Sequence, residues 1–386
     1  MKQDMISFLN NIESEITDLC NFLYSTPEES YKEIKCSTYI CEILYKNNFT
    51  ITKNYLDIPN SFYAVKGNGH PKICFLCEYD AIAEYGHITG HNALTSISVS
   101  ASLALGHVID NIGGSIIIIG CSGENLGGSK TTMVKQETFD DIDIVMECHP
   151  DTITSESGTS SAIIPLSVKY TGNSELSFLN RGIYTSLDSI LLTFNILNSL
   201  MKGFPKDVEI NSILSSERYT PLLIPLETEA KFYIKAKNKQ IAELTESKVR
   251  EIVKSVSSLT NICSTISLYE SPNEELITNK TLNRLFSHNL KENGIIEING
   301  PKDIPTGLSI GMVSQKVPCI HPYISIVNNP EIHYGTKEFA DATISDFSFS
   351  QIRKAALALA FTGFDLIEKK SLLSEVKKEF FRLKNL

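Results

Sequence analysis

Between residues 72 and 149 three short apolar runs, at 72–78, 114–120 and 142–147, alternate with two stretches of helical character, at 91–108 and 127–135. This rhythm restricts the fold more than any other feature of the chain. An apolar run too short for a core helix reads as a strand buried on both faces. Strands alternating with helices build a mainly parallel sheet covered by helices on both sides. Ligands in such sheets collect beyond the carboxyl ends of the strands. Asp80, Glu124 and His149 each fall just past an expected strand end, so three separate segments converge on one rim.

The texture on either side extends this picture. Met5, Phe8, Leu9, Ile12, Ile16, Leu19 and Leu23 recur at intervals of three and four, which predicts an amphipathic opening helix ending at Thr26 and Pro27. A second helix is expected over 30–45, followed by extended pieces at 51–55 and 62–66. From 164 onward the order changes to strand, helix, strand, strand, helix, strand, the pattern of two helices on a mainly antiparallel sheet. The chain thus reads as an α/β domain over 1–163 and 272–386, interrupted by a smaller α+β domain over 164–271. An apolar helix over 346–366 returns the chain to the first core. The lysine-rich stretch 368–386 carries Leu372, Leu373, Val376, Phe380, Phe381 and Leu383 at helical intervals, as a helix covering the first domain would.

Composition narrows the partners. A chain of 386 residues with 42% hydrophobic and 21% charged residues can bury two cores. Its net charge of -10 argues against nucleic acid, whose binding rests on clustered Lys and Arg. The start Met1-Lys2-Gln3-Asp4 lacks a charged-then-apolar leader, and no apolar run is long enough to span a bilayer. Nine scattered cysteines speak for a reducing compartment rather than a disulfide framework. A cytoplasmic protein acting on small molecules is expected. Cys74 and Cys77, within the strand at 72–78, read as buried core thiols.

Imidazole and carboxylate are the ligands of choice for zinc-like metals, and a hydrolytic site keeps a position open for water beside a carboxylate base. The candidates are His91, His149 and His333 as ligands, Glu124 as base and Asp80 as a supporting carboxylate. His70, His107 and His288 read as structural, and His321 fits either role.

The run Glu78-Tyr79-Asp80-Ala81 followed by Gly86-His87-Ile88-Thr89-Gly90-His91-Asn92 resembles the signature of the metal-dependent aminoacylase and carboxypeptidase-type amidohydrolases. The likeness is especially to the branch of aminobenzoyl-glutamate, indoleacetyl-amino-acid and dipeptide hydrolases. Gly120 to Glu124-Asn125 with Gly127-Gly128-Ser129-Lys130, Glu147-Cys148-His149-Pro150, Ile320-His321-Pro322-Tyr323, and Ile332-His333 to Phe339 are similar to its later motifs, in order along the chain. The resemblance implies hydrolysis of the amide bond of a small N-acyl amino acid or dipeptide, with one or two divalent ions such as zinc, manganese or cobalt. It assigns Glu124 as base, His91, His149 and His333 as ligands, and Asp80 as the carboxylate that supports the site. It also implies a homodimer formed through the inserted domain.

The departures from that pattern matter equally. Thr89 stands where the branch carries a bridging cysteine, and Asn125 where it carries a second, metal-binding glutamate. Leu176, Leu222 and Ser309 stand where a histidine, an asparagine and an aspartate are usual. A thiolate and a carboxylate are thereby replaced by neutral groups, which weakens any two-ion cage. Two expectations follow from the sequence: a metal-dependent amidohydrolase with an altered site, or a catalytically degenerate relative that binds a small molecule or a pathway partner.

Overall fold

The computed structural model describes residues 1–180, 182–216 and 220–384, so the last two residues of the lysine-rich C-terminal stretch lie outside the described residues. The chain divides into two compact units. One comprises Met1–Thr159, Leu276–Ile304 and Ser309–Leu386, and the other Ser160–Glu275 and Pro305–Leu308.

The first unit is α/β. Strands β1 (Thr50–Lys53), β2 (Phe62–Asn68), β3 (Lys72–Glu78), β4 (Gly114–Cys121) and β5 (Ile144–Met146) join Cys319–Ile320 in one sheet of order β1, β2, β4, β3, β5, Cys319–Ile320. From β4 across β3 and β5 to Cys319–Ile320 all pairings are parallel, whereas β1 and β2 add on antiparallel. The mainly parallel sheet expected from the rhythm of apolar runs is present, with β3 at its centre and Phe75 level with Ile118 and Met146. A second sheet in this unit, of order Asn299–Ile304, Ser155–Ser160, Tyr323–Ser325, His149–Asp151, sets His149 beside Tyr323.

Helices α1 (Lys2–Asn11), α2 (Glu13–Ser25), α3 (Ile34–Lys46) and α4 (His91–Ile112) cover the sheet together with Asp346–Glu368, and the short α5 (Lys130–Lys135) follows β4. The opening helix is two helices, broken at Ile12 (φ -108°, ψ 14°). Ile12 itself keeps both backbone bonds, its N–H donating to Phe8 and its carbonyl accepting from Ile16, and both pieces pack on α4. The helices expected from 30 and 127 begin later, at Ile34 and Lys130. Tyr31, Gly127 and Gly128 all have positive φ, which a right-handed helix does not admit.

Helix α4 is buried along almost its whole length although it is rich in serine. Ser96, Ser100 and Ser102 return their hydroxyls to carbonyls four residues back, at 2.7, 2.6 and 2.8 Å, which satisfies them without water. Ser98 and Thr95 instead donate to the carbonyls of Leu76 and Glu78. The helix is stitched to the carboxyl end of β3, where the candidate site begins.

In the second unit, strand Ala162–Thr171 pairs antiparallel with both Glu227–Ala236 and Cys263–Leu268, and Glu227–Ala236 pairs with Glu209–Ser216. Inward residues at alternate positions, among them Ala230, Phe232 and Ile234, pack with Leu166, Val168 and Tyr170 under helices Ser186–Leu200 and Lys239–Thr260. Thr185 and Asp188 close a capping box at the start of the first of these helices.

The C-terminal helix Lys370–Lys384 lies on the first unit, with Val376 and Phe380 buried. It is anchored through its middle. Glu379 accepts the N–H groups of Lys280 and Thr281 at 2.8 and 2.9 Å, and Lys377 pairs with Asp143, which also accepts from Lys72 N at 2.7 Å. Burial opposes ionisation of Asp143, yet Lys377, the Lys72 amide and His70 hold its pKa below the ordinary carboxylate value. A depressed carboxyl stabilises the fold above its unfolded pKa of about 4, and that contribution disappears as pH falls through the folded value. Asp143→Asn is therefore expected to cost about 1–3 kcal/mol at neutral pH. The deficit should shrink as pH falls below the unfolded value and vanish once Asp143 is protonated in the folded state too, read from denaturant midpoints against pH.

Candidate active site

Three strand ends and one helix start deliver the site. Strand β3 ends at Glu78, with Asp80 two residues on; the turn after β4 carries Glu124; the segment after β5 carries Glu147 and His149; and His91 is the first residue of α4. Gly90 makes the last placement possible. Its φ is +78°, and a Cβ there would lie 2.6 Å from Pro150 Cγ, so the entry to α4 packs directly on the residue after His149.

Both imidazoles are oriented by their Nδ1 atoms. His91 Nδ1–H donates to Asp80 Oδ1 at 2.7 Å, and His149 Nδ1–H donates to the Pro150 carbonyl at 2.8 Å. Each Nε2 is left free to bind elsewhere. His91 Nε2 stands 3.2 Å from Glu78 Oε2, and one ligand atom from each of Glu78, His91 and His149 lies within 4.8 Å of the others. All three side chains are buried. Donors gathered this closely away from water need a positive charge among them, a proton or a metal cation. Two imidazoles and a carboxylate are a donor set that suits a catalytic divalent ion.

Asp80 is fully buried and fully used: its Oδ2 accepts from Ser30 Oγ at 2.7 Å and from Asn125 N at 2.8 Å. Burial works against its charge, but His91 and these donors keep its pKa low. Burial likewise opposes protonation of His91, and the Asp80 carboxylate outweighs it, so the His91 pKa is raised. His149 goes the other way, pushed down by burial and by the neighbouring His321 and His91.

A buried lysine holds the centre. Lys130, with no exposed side-chain surface, places Nζ against Glu78 Oε1, 3.1 Å from Glu124 Oε2 and 3.6 Å from Glu147 Oε2. Burial alone would discharge this ammonium; Glu124, Glu147 and Glu78 together keep it charged, with a pKa well above the ordinary lysine value. Burial and the Glu124 and Glu147 charges raise Glu78, whereas Lys130 and His321 override burial at Glu147 and lower it. Glu124 is further fixed by the Ser309 hydroxyl, which donates to Oε1. Gly128 (φ +70°) lets the turn fold over this carboxylate, since a Cβ there would stand 2.5 Å from Glu124 Oε2.

Of the residues singled out in the sequence, the structure brings together Asp80, His91, Glu124 and His149. His321 joins them, its Nε2 3.5 Å from Glu147 Oε1 and its ring 5.4 Å from that of His149. His333 is exposed, its carbonyl accepting from Thr336 Oγ1 at 2.7 Å, and it is outside the three-ligand group. His70, His107 and His288 lie elsewhere, paired with Asp143, stacked on Phe8 and beside Glu292. The Thr89 hydroxyl and the Asn125 amide nitrogen are buried without hydrogen-bond partners. Leu176 bridges to Leu223 in the second unit, and Leu222 is exposed there. Sequence reasoning assigns no role to Glu78, Lys130 or Glu147. Each stands inside one of the motifs, but charge type alone does not reveal that three carboxylates share one ammonium.

Comparison with known proteins bears on the fold. The chain is 26% identical over 384 residues to the Xaa-Arg dipeptidase of Mus musculus, covering 94% of this chain and 88% of the relative. It is 28% identical over 242 residues to a p-aminobenzoyl-glutamate hydrolase subunit of Escherichia coli (strain K12), covering 57% of this chain and 50% of that one. Among solved structures, a dinuclear metal binding peptidase of the M20 family from Bacillus subtilis superposes with a TM-score of 0.66 at 13% identity, over 92% of this chain and 99% of that one. The fold is that of the M20 peptidases. The resemblance read from the motifs holds in both sequence and fold. No family profile matches the chain.

Proposed function

We propose that the protein is a metal-dependent amidohydrolase that cleaves the amide bond of a small N-acyl amino acid or dipeptide. The observation that carries this reading is the gathering of Glu78, His91 and His149 around one point, with Glu124 tied to Glu78 through Lys130. The names of the dipeptidase and aminobenzoyl-glutamate hydrolase relatives support the same reaction class.

Glu78, His91 and His149 would hold the ion, zinc, manganese or cobalt, which supplies Lewis acidity toward the scissile carbonyl and toward water. Glu124 takes the proton of the attacking water and returns it to the leaving amine. Ser309 and Lys130 hold its two oxygens in place for that transfer. Asp80 keeps His91 in the tautomer that presents Nε2. His333 is left out of this ligand set because its side chain is exposed. The same proposal places the protein in the cytoplasm, in keeping with nine unpaired cysteines, eight of them buried. It also assigns a homodimer contact to the second unit, whose edge strand Glu209–Ser216 exposes Ile213 and Leu214.

The test is elemental analysis of the purified protein together with hydrolysis of a panel of N-acyl amino acids and dipeptides. Bound divalent metal and turnover are expected, with His91→Ala or His149→Ala weakening metal binding by at least about a hundredfold, the upper end of what the loss of a mere supporting partner costs. No turnover on any panel member, even with added zinc, manganese or cobalt, would sink the reading in favour of a non-catalytic binder.

A further inference from the structure

The position of Lys130 bears on how many ions the site holds. Its ammonium touches carboxylates from three separate segments: Glu78 at the end of β3, Glu124 in the turn after β4 and Glu147 after β5. Such a set of hard oxygens is what a divalent cation would otherwise attract. Glu78 divides its two oxygens, Oε2 toward His91 and Oε1 toward Lys130, as a carboxylate shared between two positive centres does. The three-ligand group is one of those centres. The ammonium is the other.

We propose that Lys130 is a built-in cation standing in for a second metal ion, so that each chain holds one divalent ion and not two. This rests on the metal-dependent reading above. Two further observations support it. The buried Thr89 hydroxyl and Asn125 amide nitrogen have no partners and bring no negative charge with which to hold another ion. Glu147, fully buried, has two cationic partners, His321 Nε2 at 3.5 Å from Oε1 and Lys130 Nζ at 3.6 Å from Oε2, so the ammonium is the charge that answers its second oxygen. A second divalent ion would have to displace the ammonium or sit against it, and like charges in a buried cluster repel strongly. The resulting site differs from that of the Bacillus subtilis neighbour, whose description is dinuclear.

The experiment is a titration of chelator-stripped protein with zinc, manganese or cobalt alone, followed by calorimetry and elemental analysis. One equivalent per chain is expected for the native protein and for Lys130→Arg. Lys130→Met, prepared with metal present, is expected to take up a second equivalent at least ten times more tightly than the native chain does. Should that variant not fold, the cobalt form of the native protein decides: saturating cobalt must give the electron paramagnetic resonance spectrum of an isolated ion without spin coupling. Two equivalents of comparable affinity in the native protein, a coupled cobalt pair, or a folded Lys130→Met that gains no second ion would each overturn the inference while leaving the hydrolase reading standing. No metal bound at all overturns this inference too, and with no turnover it overturns the hydrolase reading as well.

Discussion

Glu124→Gln is expected to lower kcat by about a hundred- to ten-thousand-fold while leaving fold and metal content intact. The amide keeps the shape of the carboxylate and can still accept from Ser309 or Lys130, which touch its two oxygens, so the turn between Gly123 and Gly128 is preserved. What it loses is a basic oxygen for the proton of water. Because Glu124 is outside the Glu78, His91 and His149 group, metal binding is the internal control. Single-turnover kinetics beside elemental analysis reads both quantities. A variant within threefold of native kcat would remove Glu124 from the reaction, and one that also loses its metal would make it a ligand instead.

Lys130→Met should destabilise the metal-free protein by about 3–5 kcal/mol, the usual consequence of removing one partner from a buried charge cluster. The side chain is wholly buried, so no water replaces the missing ammonium, and Glu78, Glu124 and Glu147 are left facing one another. Added divalent metal should restore part of this loss, because a ligand that binds only the folded state raises its stability by mass action. Chemical denaturation with and without metal measures both terms. Native-like stability of the metal-free variant would mean that the carboxylates are already neutral, and the central role given to the ammonium would fall.

Much of the fold was legible because apolar periodicity is a local property of the chain. The runs at 72–78 and 114–120 became β3 and β4 nearly to the residue, since a strand buried on both faces needs only continuous apolar side chains. Element starts governed by backbone sign were less legible. The helix expected from 127 begins at Lys130 because Gly127 and Gly128 adopt positive φ, a choice tied in Gly128 to the nearness of Glu124. The break at Ile12 left no mark at all, as the apolar spacing runs through it unaltered.

The site divides along the same line. The order of strands and helices along the chain by itself pointed to Asp80, Glu124 and His149 sharing a rim, because each follows a strand in a mainly parallel sheet, and such ends meet at one edge. Thr89 and Asn125 are neutral where the resembled branch carries anionic ligands. Only the tertiary structure decided what compensates. Lys130 is six residues beyond Glu124 but fifty-two from Glu78 along the chain, and their meeting inside the protein depends on how β3, β4 and β5 are ordered in the sheet. Electrostatic partnership in a buried cluster is set by distance in space and exclusion of water, neither of which is written in the spacing of residues.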